Sequence, residues 1–184
     1  LASYRILYDR SRIRHLADHD PLTQLPNRRQ ALAELHELTH RGKRNNQPFA
    51  LLSIDLDGFK PINDEYGHDA GDEVLRTIAQ RLLSSVRRGD TVARMGGDEF
   101  LVLIDDPLAH DEEHLLAYAA RMRSKLSQPM QIIGGDLVYV GASIGIASYP
   151  SHADEMHGLI READQAMYRA KRDKTSGVEI AQAI

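Results

Sequence analysis

Residues 49–55, Phe-Ala-Leu-Leu-Ser-Ile-Asp, form an almost unbroken apolar run, as expected of a strand buried on both faces. On either side, apolar positions recur at helical spacing. Ala31, Leu32, Leu35 and Leu38 predict a helix over 28–41, and Val74, Leu75, Ile78, Leu82 and Val86 one over 70–87 with Gly89 as its C-terminal cap. Leu115, Leu116, Ala119, Met122 and Leu126 predict a helix over 110–126, and Leu159, Ala163, Ala166, Met167 and Ala170 one over 155–172. Segments 91–94 and 100–104 flank Gly96-Gly97-Asp98-Glu99 and predict a hairpin with a glycine-dependent turn. A second hairpin is predicted where 132–133 and 137–148 surround Gly134-Gly135, and a short last strand over 178–180. Helices alternating with hairpins imply an α+β fold: a mainly antiparallel central sheet flanked by helices.

Pro21 and Pro26 break the chain between Asp20 and Arg28, so no helix runs through that segment. Residues 1–19 carry Arg5, Arg10, Arg12 and Arg14, with Ile6, Ile13 and Leu16 at a/d-like spacing. They are expected to be a helical lead-in, either a simple one or the end of a coiled-coil stalk, and residues 20–184 a single domain. The 184 residues suit one domain plus an appendage, given roughly 150 residues per domain. The chain opens on Leu1 and is expected to be a piece of a longer protein. Its net charge of −4, from 23 basic and 27 acidic residues, argues against a generic nucleic-acid binder. The absence of cysteine excludes a disulfide scaffold, a thiolate metal site and a cysteine nucleophile. With no signal peptide and no run long enough to span a membrane, a cytoplasmic location is expected.

Two acidic spots could carry chemistry. Asp55-Leu56-Asp57 ends the most apolar strand, where a carboxylate is costly unless something positive meets it. Asp98-Glu99 follows the glycine pair of the first hairpin. If those strands are neighbours, the acids converge on one sheet edge as hard oxygen ligands suited to Mg²⁺. Taken alone, Asp57-Gly58 and Gly97-Asp98 are equally ordinary turn sequences. Residues 58–63 lie between them, and Lys60 with backbone N–H groups there would form an anion cradle. Gly96 and Gly97 allow close approach of a ligand. Carboxylates, amides and a lysine together describe a nucleoside triphosphate site.

Residues 59–72 (Phe-Lys-Pro-Ile-Asn-Asp-Glu-Tyr-Gly-His-Asp-Ala-Gly-Asp) and 94–100 (Arg-Met-Gly-Gly-Asp-Glu-Phe) resemble the signatures of the GGDEF family of diguanylate cyclases. Segments 20–29, 140–147 and 163–171 match further motifs in order, so the resemblance covers about residues 18–177. It implies a nucleotidyl-cyclase and polymerase-palm-like fold, and condensation of two GTP into cyclic di-GMP and two pyrophosphates across a homodimer. By that resemblance Asp55, the Leu56 carbonyl, Asp98 and Glu99 hold Mg²⁺, with Mn²⁺ as a substitute. Asp98 or Glu99 assists removal of the 3′-OH proton, and Lys60 and Lys171 face phosphate. Phe59, Gly96 and Gly97 border the nucleotide. Asn63 and Asp72 read the guanine edge with His68 nearby, unless His68 is structural.

Arg87 and Asp90 match the R-x-x-D product-inhibition site that binds cyclic di-GMP, with Arg121 as a secondary arginine. Without the family, Arg87-Arg88 would be a basic helix end and Arg121 a solvated charge. Two positions depart from the family pattern: Thr175 stands where a second phosphate-contacting Arg is expected, which predicts altered GTP affinity, and Gln24 replaces a common Gly. The histidine pairs 15/19, 36/40 and 110/114 have metal-binding spacing but no visible third ligand, and are expected to be ordinary surface residues. Two alternatives remain open: a non-catalytic cyclic di-GMP receptor, and a GTP-binding regulator of a neighbouring phosphodiesterase. Under the leading reading, an upstream sensory module pairs the domains.

Overall fold

The computed structural model describes residues 17–173 and 175–183. Most of the coiled-coil expectation therefore lies outside the described residues. At the entry, His19 bridges to Pro26, and the Asp20 amide donates to the Leu25 carbonyl at 2.7 Å, closing a wide turn around the two prolines. The Asn27 side chain then caps helix α1, Arg28–Asn45, by accepting from the Gln30 amide.

The apolar run becomes strand β1, Phe49–Asp57, the centre of the sheet. Helices α2, Phe59–Tyr66, and α3, His68–Leu83, follow, joined at Gly67 in a left-handed conformation. The first hairpin is β2, Thr91–Gly96, and β3, Glu99–Ile104, followed by helix α4, Glu112–Leu126. A small ribbon of β4, Met130–Gln131, and β5, Leu137–Val138, precedes the long strand β6, Gly141–Tyr149. Helix α5, Met156–Arg172, and strand β7, Val178–Ile180, complete the fold.

The five-stranded sheet has the order β2-β3-β1-β6-β7. All its pairings are antiparallel except β6 with β7. Even-numbered residues of β1 (Leu52, Ile54, Leu56) pack on one side with Val74, Ile78, Leu115 and Met122 of α3 and α4. Odd-numbered ones (Phe49, Leu51) pack on the other with Leu35 of α1 and Leu159 and Ala163 of α5. Both faces are therefore covered, which explains the unbroken apolar run.

Two expectations shift. Helix α3 stops at Leu83 with Ser84 as cap, so Gly89 is not a helix cap but a left-handed residue in the bend leading to β2. The second hairpin is narrower than expected, because the segment 137–148 divides into β5 and β6, and β6 leaves the ribbon to join the main sheet.

Helix α5 lies unusually close to the sheet. A Cβ on Gly145 of β6 would fall 2.7 Å from the Met167 Cα and would also overlap the Ala163 carbonyl. Neither partner is a flexible side-chain tip. Gly145→Ala should push α5 off β6 and cost about 1–3 kcal/mol of stability, measured by chemical denaturation. His152 is fully buried, with Nδ1 accepting from the Ser148 amide at 2.9 Å, and burial holds its pKa below the ordinary 6.5. The unfolded chain therefore takes up this proton first, and stability declines as pH falls below 6.5 toward the folded value. His152→Asn keeps an acceptor near the Nδ1 position and should flatten that part of the stability–pH curve.

Candidate active site

At the end of β1 the backbone brings the two acidic spots together. Asp55 lies directly opposite Glu99 of β3 and Ser143 of β6, and the Leu56 amide donates to the Asp98 carbonyl at 3.2 Å. Asp55 is buried, and its carboxylate accepts from Lys171 Nζ of α5 at 2.6 Å. That contact, reinforced by Asp57 and Asp98, raises the Lys171 pKa. Desolvation, followed by the neighbouring Asp55 charge, raises the Asp98 pKa. Asp57 accepts from the Ser143 hydroxyl at 2.9 Å.

These groups border a cleft of about 560 Å³ lined by Leu56, Asp57, Phe59, Lys60, Asp98, Arg123 and Lys171, among others. Consecutive residues at the hairpin tip face different hollows. Asp98 lines this cleft, whereas Glu99 lines a neighbouring groove between α1 and α5, of about 250 Å³, with Arg28, Met95 and Asp164. Among the described residues no three His, Cys, Asp or Glu side chains are close enough to form a metal cluster. The donor set nevertheless fits a hard cation. Burial, with the Asp55 charge second, disfavours the charged form of Asp98, and the Lys171 ammonium answers part of the local negative charge. The histidine pair of α1 does meet, with the Nε2 atoms of His36 and His40 3.1 Å apart, but no third ligand joins it among the described residues.

The Gly97 carbonyl of the signature turn accepts two hydrogen bonds from Arg94, at 2.9 and 3.1 Å. Arg94 Nη1 also binds both oxygens of Asp20 in the entry turn, at 3.0 and 3.1 Å. The signature turn is thus fastened to the segment where the chain enters the domain. At the α2–α3 corner, Asn63 lies against Gly71: a Cβ on Gly71 would come within 2.9 Å of the Asn63 Cγ. Asp72 is half-buried one position further on, and His68 is exposed at the start of α3. Lys60 is exposed beside the cleft.

The R-x-x-D group forms a second centre. The Arg87 amide donates to Asp90 at 2.9 Å, and its guanidinium binds Asp106 at 2.8 Å. Tyr118 of α4 reaches Asp90 at 3.4 Å, and burial, with the Asp90 charge second, pushes its pKa up to about 12. The Arg121 guanidinium lies 5.9 Å from the Tyr118 ring centre, which brings all three expected residues to one place. Asp106 and Tyr118 carried no local sequence signal, because their partners belong to other elements.

A family model described as "Diguanylate cyclase, GGDEF domain" matches residues 17–177. The chain belongs to the GGDEF family. It is 43% identical over 162 residues to the bifunctional diguanylate cyclase/cyclic di-GMP phosphodiesterase MucR of Pseudomonas aeruginosa, covering 88% of this chain and 23% of that protein. It is 40% identical over 178 residues to the diguanylate cyclase TpbB of the same species, covering 97% of this chain and 40% of TpbB. The chain thus spans less than half the length of these curated relatives. Among solved structures, the GGDEF domain of TpbB superposes with a TM-score of 0.83 at 42% identity, covering 89% of this chain and 94% of that one. The coiled coil and GGDEF domain of DgcB from Caulobacter crescentus, in complex with c-di-GMP, superposes at 0.88 with 25% identity, covering 98% and 94%.

Two outcomes follow from the geometry. Burial disfavours the Asp98 charge, so Asp98→Asn should raise the melting temperature at neutral pH and, on the expectation that Asp98 ligates Mg²⁺, reduce the upward shift on adding it. On the expectation that Asn63 contacts guanine, Gly71→Ala, which displaces that side chain, should weaken guanine nucleotide binding severalfold while changing the melting temperature little, because only a side-chain tip has to move.

Proposed function

We propose that this chain is the catalytic module of a diguanylate cyclase, holding one GTP per domain and acting as a homodimer. The observation that carries this reading is the convergence of Asp55 and Asp98 at one sheet end, in a cleft shared with Lys60 and Lys171. Asp55 and Asp98, with the Leu56 carbonyl, would hold Mg²⁺, or Mn²⁺ in its place, and Glu99 adds a carboxylate from the next position. The cation supplies charge neutralisation at the α-phosphate and acidifies the attacking hydroxyl. Lys60 and Lys171 bind phosphate oxygens, and Phe59, Gly96 and Gly97 border the nucleotide. Asn63 and Asp72 select guanine through its N1–H and N2–H₂ donors, which adenine lacks, and His68 stands beside them.

Each 3′-oxygen bonds to the α-phosphorus held by the other domain. The P–O bond to the β-phosphate breaks, pyrophosphate leaves, and Asp98 or Glu99 takes the 3′-OH proton. Repeating the step closes the ring. GTP as substrate implies the cytoplasm, and an upstream sensory module would pair the domains.

Arg87, Asp90 and Arg121 would bind the product and inhibit. Arg87 already grips a carboxylate, Asp106, in the way it would grip phosphate. A second reading, a GTP- or cyclic di-GMP-binding regulator, draws on one observation. The cyclic di-GMP phosphodiesterase PdeR of Escherichia coli is 41% identical over 162 residues.

Incubation of the concentrated protein with GTP and Mg²⁺, with products identified by mass, tests the proposal. Cyclic di-GMP is expected, with none from an Asp98→Asn, Glu99→Gln double variant. The rate per chain should fall on dilution, because two domains must meet; a rate that stays flat would refute the two-domain mechanism. Absence of product alongside tight cyclic di-GMP binding would select the regulator. Arg87→Ala should raise the cyclic di-GMP concentration needed for half-inhibition by roughly tenfold or more, as loss of a charge-assisted contact implies.

A further inference from the structure

In the cleft proposed to take GTP, Lys60 is exposed, and the Lys171 ammonium is committed to Asp55 at 2.6 Å. Asp57 and Asp98 line the same cleft, so an incoming triphosphate meets two carboxylates as well as the cations. Thr175 brings no charge from the segment after α5. The arginine that does reach the cleft comes from a different helix.

Arg123 of α4 is half-buried and lines the cleft. Its Nε donates to the Ala142 carbonyl of β6 at 2.8 Å, which fixes the plane of the guanidinium. Among the described residues no carboxylate is within ion-pairing distance of it. A half-buried cation held only by a backbone carbonyl has incomplete compensation. The path to the cleft depends on Gly177, whose left-handed backbone (φ +65°) and missing side chain leave the space that Arg123 occupies. A Cβ there would lie 2.6 Å from Arg123 Nη2. The planar fork of a guanidinium matches two phosphate oxygens, and nothing else charged in this cleft has that shape.

We propose that Arg123 is a phosphate-binding residue of this cleft, supplying from α4 the guanidinium that Thr175 lacks; the proposal rests on the GTP reading above. Its role is with the phosphate chain and not with the base, so its effect must grow with phosphate number.

The test is calorimetric titration of the 184-residue chain, with Mg²⁺, against GMP, GDP and the α,β-methylene analogue of GTP, whose bridging carbon prevents release of pyrophosphate. In the parent, affinity should climb with phosphate number. Arg123→Met should weaken the analogue by roughly tenfold or more, weaken GDP less, and leave GMP within about twofold. GMP binding then also reports that the variant is folded. Arg123→Lys should recover part of the loss, and it carries the same test if the Met variant fails to fold, with a severalfold deficit confined to GDP and the analogue. Equal losses for all three nucleotides, or no loss for the analogue, would overturn the role of Arg123. A parent that binds all three equally, or none, would instead overturn the triphosphate reading and the proposal with it.

Discussion

A carboxylate buried at the end of the central strand must be matched by positive charge, and in this chain Lys171 meets that demand for Asp55. Lys171 is in the last turn of α5, so the helix must lie along β6 at a fixed height and closeness for its ammonium to arrive there. Gly145 provides the closeness, and Ala163, Ala166 and Ala170 keep the contacting face of the helix thin. The position of one helix against one strand thereby sets the electrostatics of the whole cleft.

Much of this was legible in the sequence. The doubly covered strand, the amphipathic helices and the glycine turn each left a local mark, because burial imposes periodicity and left-handed backbone selects glycine. The paired acids could be suspected from the chain alone, but only strand adjacency makes Asp55 and Glu99 neighbours, and adjacency is decided by pairing across distant segments. Gly89 was misjudged because glycine marks left-handed backbone wherever it occurs, in a bend as readily as at a helix end. Arg123, Asp106 and Tyr118 were invisible for a related reason. Each gains its role from a partner on another element, and a solvated helix charge has the same local sequence.

The two centres are tied to one framework. Asp90 accepts from the Asp105 amide and is reached by Tyr118 of α4, the helix that also carries Arg123 to the cleft. Asp105 in turn binds Arg41 of α1 at 2.6 Å, and Arg94 joins the signature turn to Asp20. Helix α4 therefore contributes side chains both to the cleft and to the R-x-x-D group. A shift of α4 would be felt at both.

The sheet ends in two blunt margins. Strand β7 is three residues long, and β2 loses its register between Arg94 and Gly96. A long, flat free margin would let one molecule zip onto the next through its backbone, and such unions are slow to undo. With both margins short or irregular, copies that collide are steered toward side-chain contacts, which form and dissolve quickly. Short and irregular margins of this kind resist fibre growth.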